Sequence, residues 1–351
     1  MVVAALRTPI GTAGGTLATV TAADLAAPVL RALQAAVGLP VRDVVLGNCT
    51  GPGGDVARYA ALAAGLPVDV PGLTVDRQCG SGLAAIDVGA ALARRGGLVL
   101  AGGTESASTS PRPGRAPFAP PALGDPDMGP AADLLAERAG VTRERQDAYA
   151  ARSHRLALAA DHSPETVPVA GVDRDERPRP ITEERLARLP PAFRPGGTVT
   201  AGNACGVNDG AAAVALVDAA THRSLGLPGL RVLATATAGV DPRLPGRGLV
   251  PAVQQALAAA GRTLDDIDVV ELNEAFAGQV LACCDELHLD PERVCVQGGA
   301  LALGHPWGAS GAVLVVRLFS QLVRQGRGRT GLAAVAVGGG QGVAMVVERC
   351  P

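Results

Sequence analysis

Short apolar runs bounded by Gly, Pro or Asn alternate with longer alanine-rich segments in the first part of the chain. The runs predict buried strands, and the segments between them predict helices. The predicted strands cover residues 2–6, 43–48, 72–76 and 98–101, and the predicted helices cover residues 21–37, 56–64 and 79–95. Thr21 is a suitable N-terminal cap for the first helix. This alternation predicts an α/β unit with mostly parallel strand pairing.

The pattern changes between residues 106 and 195. Ser, Pro and Arg crowd together over residues 108–121, a helical pattern covers 130–160, and 173–180 is charged and interrupted by proline. A structureless loop of this length is unusual inside a compact domain, so we predict a long insertion with helices of its own. The apolar pattern returns at 198–217, where a tight loop over 202–206 precedes another strand.

The second half of the chain repeats the pattern of the first. Residues 43–48 are echoed by residues 268–273, a spacing of 225 residues, and each segment follows an alanine-rich helix and a glycine. The same spacing added to Cys79 gives Gly304, next to His305, where another apolar helix begins. Both halves then end in a strand that leads into glycines. A duplicated unit of this kind brings its two helix starts together, so we predict Cys79 and His305 in one site.

Cys79 is the candidate nucleophile. It stands where a strand meets a glycine-flanked helix start, and the unpaired N–H groups and positive dipole end of a helix favour a thiolate. The alternative is a buried cysteine that packs as a small hydrophobe. Equivalent alternatives are a hydrogen-bonded core histidine for His305 and a turn former for Asn273.

Composition excludes several classes of protein. All 31 basic residues are Arg, and the absence of Lys excludes a Walker-type phosphate loop and a pyridoxal phosphate Schiff base. A net charge of −2 with 2% aromatic residues argues against a nucleic-acid surface. The 7 cysteines lack paired C-x-x-C spacing, which argues against a zinc site or a disulfide framework and favours the cytoplasm. We also expect neither a secretory leader nor a membrane span.

Several ordered motifs carry a family resemblance. They are Cys79-Gly80-Ser81-Gly82, Ala101-Gly102-Gly103 with Glu105-Ser106, Asn273-Glu274-Ala275-Phe276, Gly304-His305-Pro306 with Gly308-Ala309-Ser310-Gly311, and Gly338-Gly339-Gly340-Gln341-Gly342. Together they resemble the thiolases, the acyl-CoA C-acyltransferases, almost from end to end. The resemblance implies a duplicated five-layer α-β-α-β-α fold with a helical insertion domain. It implies an N-terminal half at 1–106 plus 196–220, an insertion at 107–195 and a C-terminal half at 221–351.

The resemblance also implies chemistry. Cys79 would take an acyl group from a coenzyme A thioester, with His305 as its base, and a second acyl-CoA would then accept that group to form a β-ketoacyl product. His305 together with a water held by Asn273 would stabilise the enolate, and the backbone N–H groups of Cys79 and Gly338 would stabilise the oxygen of the acyl-enzyme. The acyl-CoA would be a substrate, with no tightly bound cofactor and no metal. A homodimer or homotetramer is implied.

Residues around the acyl-CoA are implied as well. The candidates are Ala204, Cys205, Met128 and Arg112. Cys205 stands where the family commonly has Ser, and this change has a neutral reading too. Since the chain lacks Lys, contacts to the coenzyme A phosphates would have to come from arginines such as Arg112 or Arg115.

One departure from the family pattern limits the predicted activity. The second family cysteine, which moves the α-proton, falls on Ala336, and an alanine cannot carry a proton. General acid-base catalysis contributes about 10²- to 10⁴-fold, so ordinary turnover should be weak unless another group substitutes. The alternatives are a decarboxylating, ketosynthase-like condensation, acyl transfer to another acceptor, possible delivery of the acyl group by a carrier protein, and a catalytically silent partner subunit.

Overall fold

The computed structural model describes residues 1–111 and 115–351. The strands in this part of the chain are β1 (Val2–Arg7), β2 (Gly11–Thr12), β3 (Val41–Gly47), β4 (Gly72–Val75), β5 (Leu98–Ser106), β6 (Asn208–Leu216), β7 (Gly229–Gly239), β8 (Val269–Leu272), β9 (Thr330–Val337) and β10 (Gln341–Cys350). The α-helices are α1 (Ala22–Val37), α2 (Val56–Ala63), α3 (Ser81–Ala93), α4 (Met128–Arg138), α5 (Arg143–Ala159), α6 (Glu183–Leu186), α7 (Ala219–Leu225), α8 (Leu249–Ala260), α9 (Ala277–Leu287), α10 (Ala300–Leu303) and α11 (Trp307–Phe319). Each strand and helix predicted for the first part of the chain is present, with ends that differ by a few residues.

Nine of the ten described strands form one path in the order β4-β3-β5-β6-β1-β7-β10-β9-β8, and β2 pairs with β6 beside it. β3 pairs in parallel with β4 and β5, and β8 pairs in parallel with β9, but every other strand pair is antiparallel among the described residues. The expectation of mostly parallel pairing is therefore wrong. A short glycine turn joins β9 to β10, and a connection this short permits only antiparallel pairing.

The two halves of the path meet at a single residue pair, Val2 with Leu230. α1 and α2 cover the outer face of the N-terminal strands, and α8 covers that of the C-terminal strands. α3 and α11 pack against each other, and α11 contacts strands of both halves. The layers are therefore α-β-α-β-α, which confirms the predicted fold, and the central layer holds the two helices whose starts carry Cys79 and His305.

The strand order of the first half recurs in the second. The order β3-β5-β6-β1 corresponds to β8-β9-β10-β7. An isolated parallel bridge between Val270 of β8 and Val294 takes the place of β4. α3 and α11 occupy equivalent places in the two halves. The repeat read from the sequence is thus present in the architecture.

The segment between β5 and β6 contains α4, α5 and α6. The predicted helical region at 130–160 is two helices, because Gly140 adopts a left-handed conformation, φ 67°, after the end of α4. α4 and α5 pack against α9, so these helices lie on the C-terminal half. Residues 165–175 of the same segment contact β1 in the N-terminal half, through Arg7. The domain boundaries given above stay a prediction. No described helix combines the length and apolar character that crossing a membrane would need.

Candidate active site

Cys79 lies in a tight turn two residues before α3. Gln78 has φ 46°, in the left-handed region that residues other than glycine rarely adopt. The Ser81 hydroxyl holds the turn, since it accepts from the Arg77 N–H at 2.8 Å and donates to the Gln78 carbonyl at 2.6 Å. The helix thus begins later than predicted, and the nucleophile candidate sits on a strained turn of the kind that clusters at functional sites.

Two glycines explain how close the helix starts come to each other. A β-carbon at Gly82 would lie 2.8 Å from the Ala312 nitrogen and 2.9 Å from the Gly308 carbonyl oxygen. A β-carbon at Gly311 would lie 2.5 Å from the Leu83 nitrogen. The two helices therefore pack backbone against backbone, which only glycine allows at these positions.

His305 precedes α11 and is held at three points. Its backbone N–H donates to Asn208 Oδ1 at 2.9 Å. Its Nδ1 lies 2.6 Å from Ser310 Oγ, and the Ser310 hydroxyl donates to the Pro306 carbonyl at 3.0 Å. Since that hydroxyl proton is committed, Nδ1–H donates to Ser310 and Nε2 keeps its lone pair. Asn273 Nδ2 lies 3.4 Å from this Nε2.

Burial controls the ionisation of both groups. It lowers the pKa of His305 to about 4, so the imidazole is neutral at pH 7. It raises the pKa of the Cys79 thiol to about 12, against the opposing effect of hydrogen bonds from the backbone N–H groups of Cys79 itself and Gly338. Contrary to the expectation that the helix start favours a thiolate, the resting site is a neutral thiol beside a neutral base.

Cys79 and His305 line the same cavity of about 80 Å³. The other residues around it are Met128, Ala131, Ala132, Cys205, Pro245, Gly246, Ala275, Phe276, Gln279, Trp307 and Ala336. The structure thus brings together Cys79, His305, Cys205 and Met128, with Asn273 and Gly338 reaching them through the contacts above.

The remaining predicted residues stand apart from this group or cannot be placed. Ala204 pairs with Phe276 through the backbone rather than lining the cavity. Arg112 lies outside the described residues. Arg115 is already paired with Asp125 at 2.9 Å and with Asp127 at 3.0 Å.

Two buried carboxylates organise the site, although sequence reasoning assigned them no role. Glu105, at the end of β5, is fully buried. Its oxygens accept hydrogen bonds from Asn48, Cys49, Thr50 and the Gly308 N–H, the last at 3.0 Å. Because Gly308 lies in the first turn of α11, Glu105 ties the N-terminal half to the helix that follows His305.

Glu274 follows Asn273 and is likewise fully buried. It accepts from the Tyr149 hydroxyl at 2.9 Å and the Ser153 hydroxyl at 2.7 Å, both on α5. It also accepts from the Leu301 N–H at 3.2 Å. Burial raises the pKa of Glu274. In the sequence, both carboxylates could have been noticed as acidic residues within motifs of otherwise mostly small or apolar residues.

Comparison with known families agrees with this architecture. The family model "Thiolase, N-terminal domain" matches residues 1–220, and "Thiolase, C-terminal domain" matches residues 228–349. The chain belongs to the thiolase family. The resemblance seen in the motifs is thereby confirmed at the level of the family.

Individual relatives cover nearly the whole chain. An acetyl-CoA acetyltransferase and a beta-ketoadipyl-CoA thiolase of Pseudomonas aeruginosa are each 44% identical to it, over 99% and 98% of this chain and 99% and 98% of their own lengths. The crystal structure of the Bacillus anthracis acetyl-CoA acetyltransferase superposes with a TM-score of 0.92 at 41% identity, covering 99% of this chain and 98% of that one. The chain is thus a thiolase-type acyltransferase, which uses coenzyme A thioesters in Claisen-type bond formation or thiolysis.

Proposed function

We propose that Cys79 is the acyl-accepting nucleophile of this thiolase, with His305 as its base and acetyl-CoA as its substrate. The observation that carries the proposal is that Cys79 and His305 line one cavity, where the backbone N–H groups of Cys79 and Gly338 act against the effect of burial on the pKa of the thiol. Donors in this position can serve the oxygen of a thioester bonded to that sulfur.

The first stage is acylation. His305 Nε2 takes the thiol proton as Cys79 Sγ bonds to the thioester carbon, and the negative charge moves to the carbonyl oxygen, which the two N–H groups stabilise. The carbon–sulfur bond to coenzyme A then breaks, and the leaving thiolate takes the proton from His305. Because thiol and imidazole are both neutral at rest, no separated charges need to be held in the buried site before substrate arrives.

The second stage joins two acyl groups. The α-carbon of a second acyl-CoA attacks the acyl-enzyme carbonyl, and Cys79 leaves as the β-ketoacyl-CoA forms. The enolate oxygen would be stabilised by a water held by Asn273, and by His305 when its Nε2 carries a proton. We infer that Ala336, whose methyl group faces the cavity, replaces the second cysteine of the family and leaves the α-proton without its usual acceptor.

Relatives that are named acetyl-CoA acetyltransferases support acetyl as the group transferred. The lining of the cavity agrees with an uncharged acyl group. His305 is the one basic residue among the described cavity-lining residues, and Met128 and Phe276 add apolar surface. A distal carboxylate, as in a β-ketoadipyl group, would find no arginine among these lining residues, so we favour acetyl over the dicarboxylic substrate named for one relative.

The alanine at 336 also favours a second candidate. Decarboxylation of a malonyl thioester generates the carbanion without a base, and a Cys, His and Asn set is sufficient for it. A malonyl-CoA arm in the experiment below distinguishes the two reactions.

We also propose that the chain forms a homodimer or homotetramer. β4 is an edge strand, and its Leu73 is 42% exposed. Tyr59 on α2 is 63% exposed, and Val68 between α2 and β4 is 82% exposed. Open edges with apolar neighbours are suited to symmetric pairing. The cytoplasm fits the absence of any disulfide among the seven cysteines, all of which lie in the described ranges. Light scattering of the purified protein would test the assembly.

Intact-protein mass spectrometry after incubation with acetyl-CoA tests the nucleophile. We expect one acetyl adduct on the wild type and none on Cys79→Ala. An unmodified wild type, or an adduct that persists in the variant, would refute the proposal. Product analysis with acetyl-CoA alone and with added malonyl-CoA then separates the two reactions, because only the decarboxylating route requires malonyl-CoA and releases CO₂.

A further inference from the structure

The cavity contains a second cysteine. Cys205 lines it together with Cys79, His305 and Ala336. Its position is set by the backbone, since the Cys205 N–H donates to the Ala275 carbonyl at 3.0 Å, in the segment that follows Asn273. A thiol therefore faces the reacting groups from the wall formed by the loop before β6, although the usual second cysteine is absent.

A cation lies beside this cysteine. The guanidinium of Arg177 lies against Gly206, so closely that a side chain at position 206 would collide with it. Arg177 is largely shielded from solvent, and its Nε is buried without a hydrogen-bond partner in the part of the chain that the structure describes. A neighbouring arginine favours the thiolate form of a cysteine.

We propose that Cys205 is the acid-base residue that removes and returns the α-proton in this enzyme, in the role that Ala336 cannot fill. This inference rests on the proposed function of Cys79. Family members commonly have Ser at position 205, and a serine hydroxyl is a far weaker acid than a thiol. Cysteine at position 205 would therefore compensate for the loss of the family cysteine at position 336.

Burial opposes the ionisation of Cys205, and Arg177 supports it. Burial is the main reason that the pKa of Cys205 is raised to about 12, and Arg177 acts in the opposite direction. Cys79 carries no charge, either as the resting thiol or with an acyl group, so it does not oppose the ionisation of Cys205 at the step that needs the base.

The proposed step balances. Neutral His305, which lines the same cavity, first takes the proton of the Cys205 thiol on Nε2. The Cys205 thiolate then takes one proton from the α-carbon of the second acetyl-CoA, and the electrons of the broken C–H bond form the enolate. The enolate carbon bonds to the acyl carbon, and the bond from that carbon to Cys79 Sγ breaks. The Cys79 thiolate takes the proton from His305, which restores both thiols and the neutral imidazole. Thiolysis is the reverse.

The test uses the full chain and four proteins: wild type, Cys205→Ser, Ala336→Cys and the double variant. Acetylation of Cys79 by acetyl-CoA is followed by mass spectrometry, exchange of the acetyl-CoA methyl protons in D₂O by NMR, and acetoacetyl-CoA thiolysis by absorbance. Cys350→Ser, which changes a cysteine at the end of β10, is the matched control and should behave as the wild type.

We expect Cys205→Ser to be acetylated on Cys79 within a few-fold of the wild-type rate, but to lose exchange and thiolysis by about 10²- to 10⁴-fold. Adding Ala336→Cys should restore both reactions. The inference is overturned if Cys205→Ser retains thiolysis within threefold, or if the double variant is not rescued. Failure of the wild type to become acetylated would instead refute the role of Cys79, so the two failures are distinguishable.

Discussion

The two helix starts in the central layer have equivalent positions but are held in different ways. The Cys79 turn is shaped by its own neighbours, because Ser81 bonds back to residues 77 and 78 and Gln78 takes up the strain. The His305 start is held from a distance, by Asn208 on its backbone and by Glu105 on the Gly308 N–H.

This difference matches the chemistry proposed for each residue. A nucleophile needs a short side chain presented at one point, which a local turn can supply. A base needs a defined tautomer, and the tautomer depends on the hydrogen-bond partner of the other ring nitrogen, here Ser310 at Nδ1. Duplication therefore provides two similar helix starts, and tertiary contacts orient one of them for the proposed role of base.

The largest effect on this comparison should come from removing the base. His305→Ala leaves a thiol whose pKa is about 12, so acetylation of Cys79 at pH 7 should fall by about 10²- to 10⁴-fold. While the pH is below that pKa, each increase of one pH unit raises the thiolate fraction tenfold. The residual rate of the variant should therefore rise steeply between pH 7 and 9. The wild-type rate should instead stay level and fall only as acid protonates His305, near pH 4. Timed mass spectrometry measures both, and parallel profiles would contradict the assigned role.

The next largest effect should come from changing Glu105, whose carboxylate links the N-terminal half to α11. Glu105→Gln replaces one acceptor oxygen with a donor that faces N–H and O–H groups, so we expect the free energy of unfolding to fall by about 3 kcal/mol. Glu137→Gln is the control, since its 62% exposed carboxylate forms a surface pair worth about 0–1 kcal/mol. Urea unfolding compares the two variants, and equal midpoints would show that the buried carboxylate does not hold α11.

Separating the two helix starts should have a moderate effect. Gly82→Ala forces a methyl group against the backbone of α11 and should lower the free energy of unfolding by about 1–3 kcal/mol. Gly239→Ala is the matched control, because its nearest neighbour would be 3.9 Å from the new carbon. Thermal unfolding distinguishes them. If both variants unfold at the same temperature, the close approach of α3 and α11 does not exclude a side chain at position 82.

The smallest effect should come from removing the hydrogen bond between Ser310 and His305, which fixes the tautomer of the imidazole. Ser310→Ala removes one hydrogen bond to Nδ1, worth about 1 kcal/mol, and should slow Cys79 acetylation about fivefold without changing the amount of acetylated protein at completion. Ser310→Thr retains the hydroxyl and should recover most of the rate. A loss of rate that Thr does not recover would mean that Ser310 acts through packing rather than through His305.

Much of this arrangement could be predicted from the sequence, because local patterns dominate it. The apolar runs identified the first strands, Thr21 capped its helix as predicted, and the repeat brought Cys79 and His305 to equivalent helix starts. Strand direction was missed because pairing depends on where a strand returns, not on its composition. The bond from His305 to Ser310 was missed although both residues stand in one motif, since the motif does not show which atoms meet.

The sequence by itself determined which groups are available: a cysteine and a histidine at two helix starts, glycines where backbones touch, and an alanine at 336. Only the tertiary structure decided their chemical state. Burial makes Cys79 a thiol and His305 a neutral imidazole, and the cavity places Cys205 and Ala336 on walls of the same space. The reason is that desolvation and hydrogen bonding act through space, between groups that are distant in the chain.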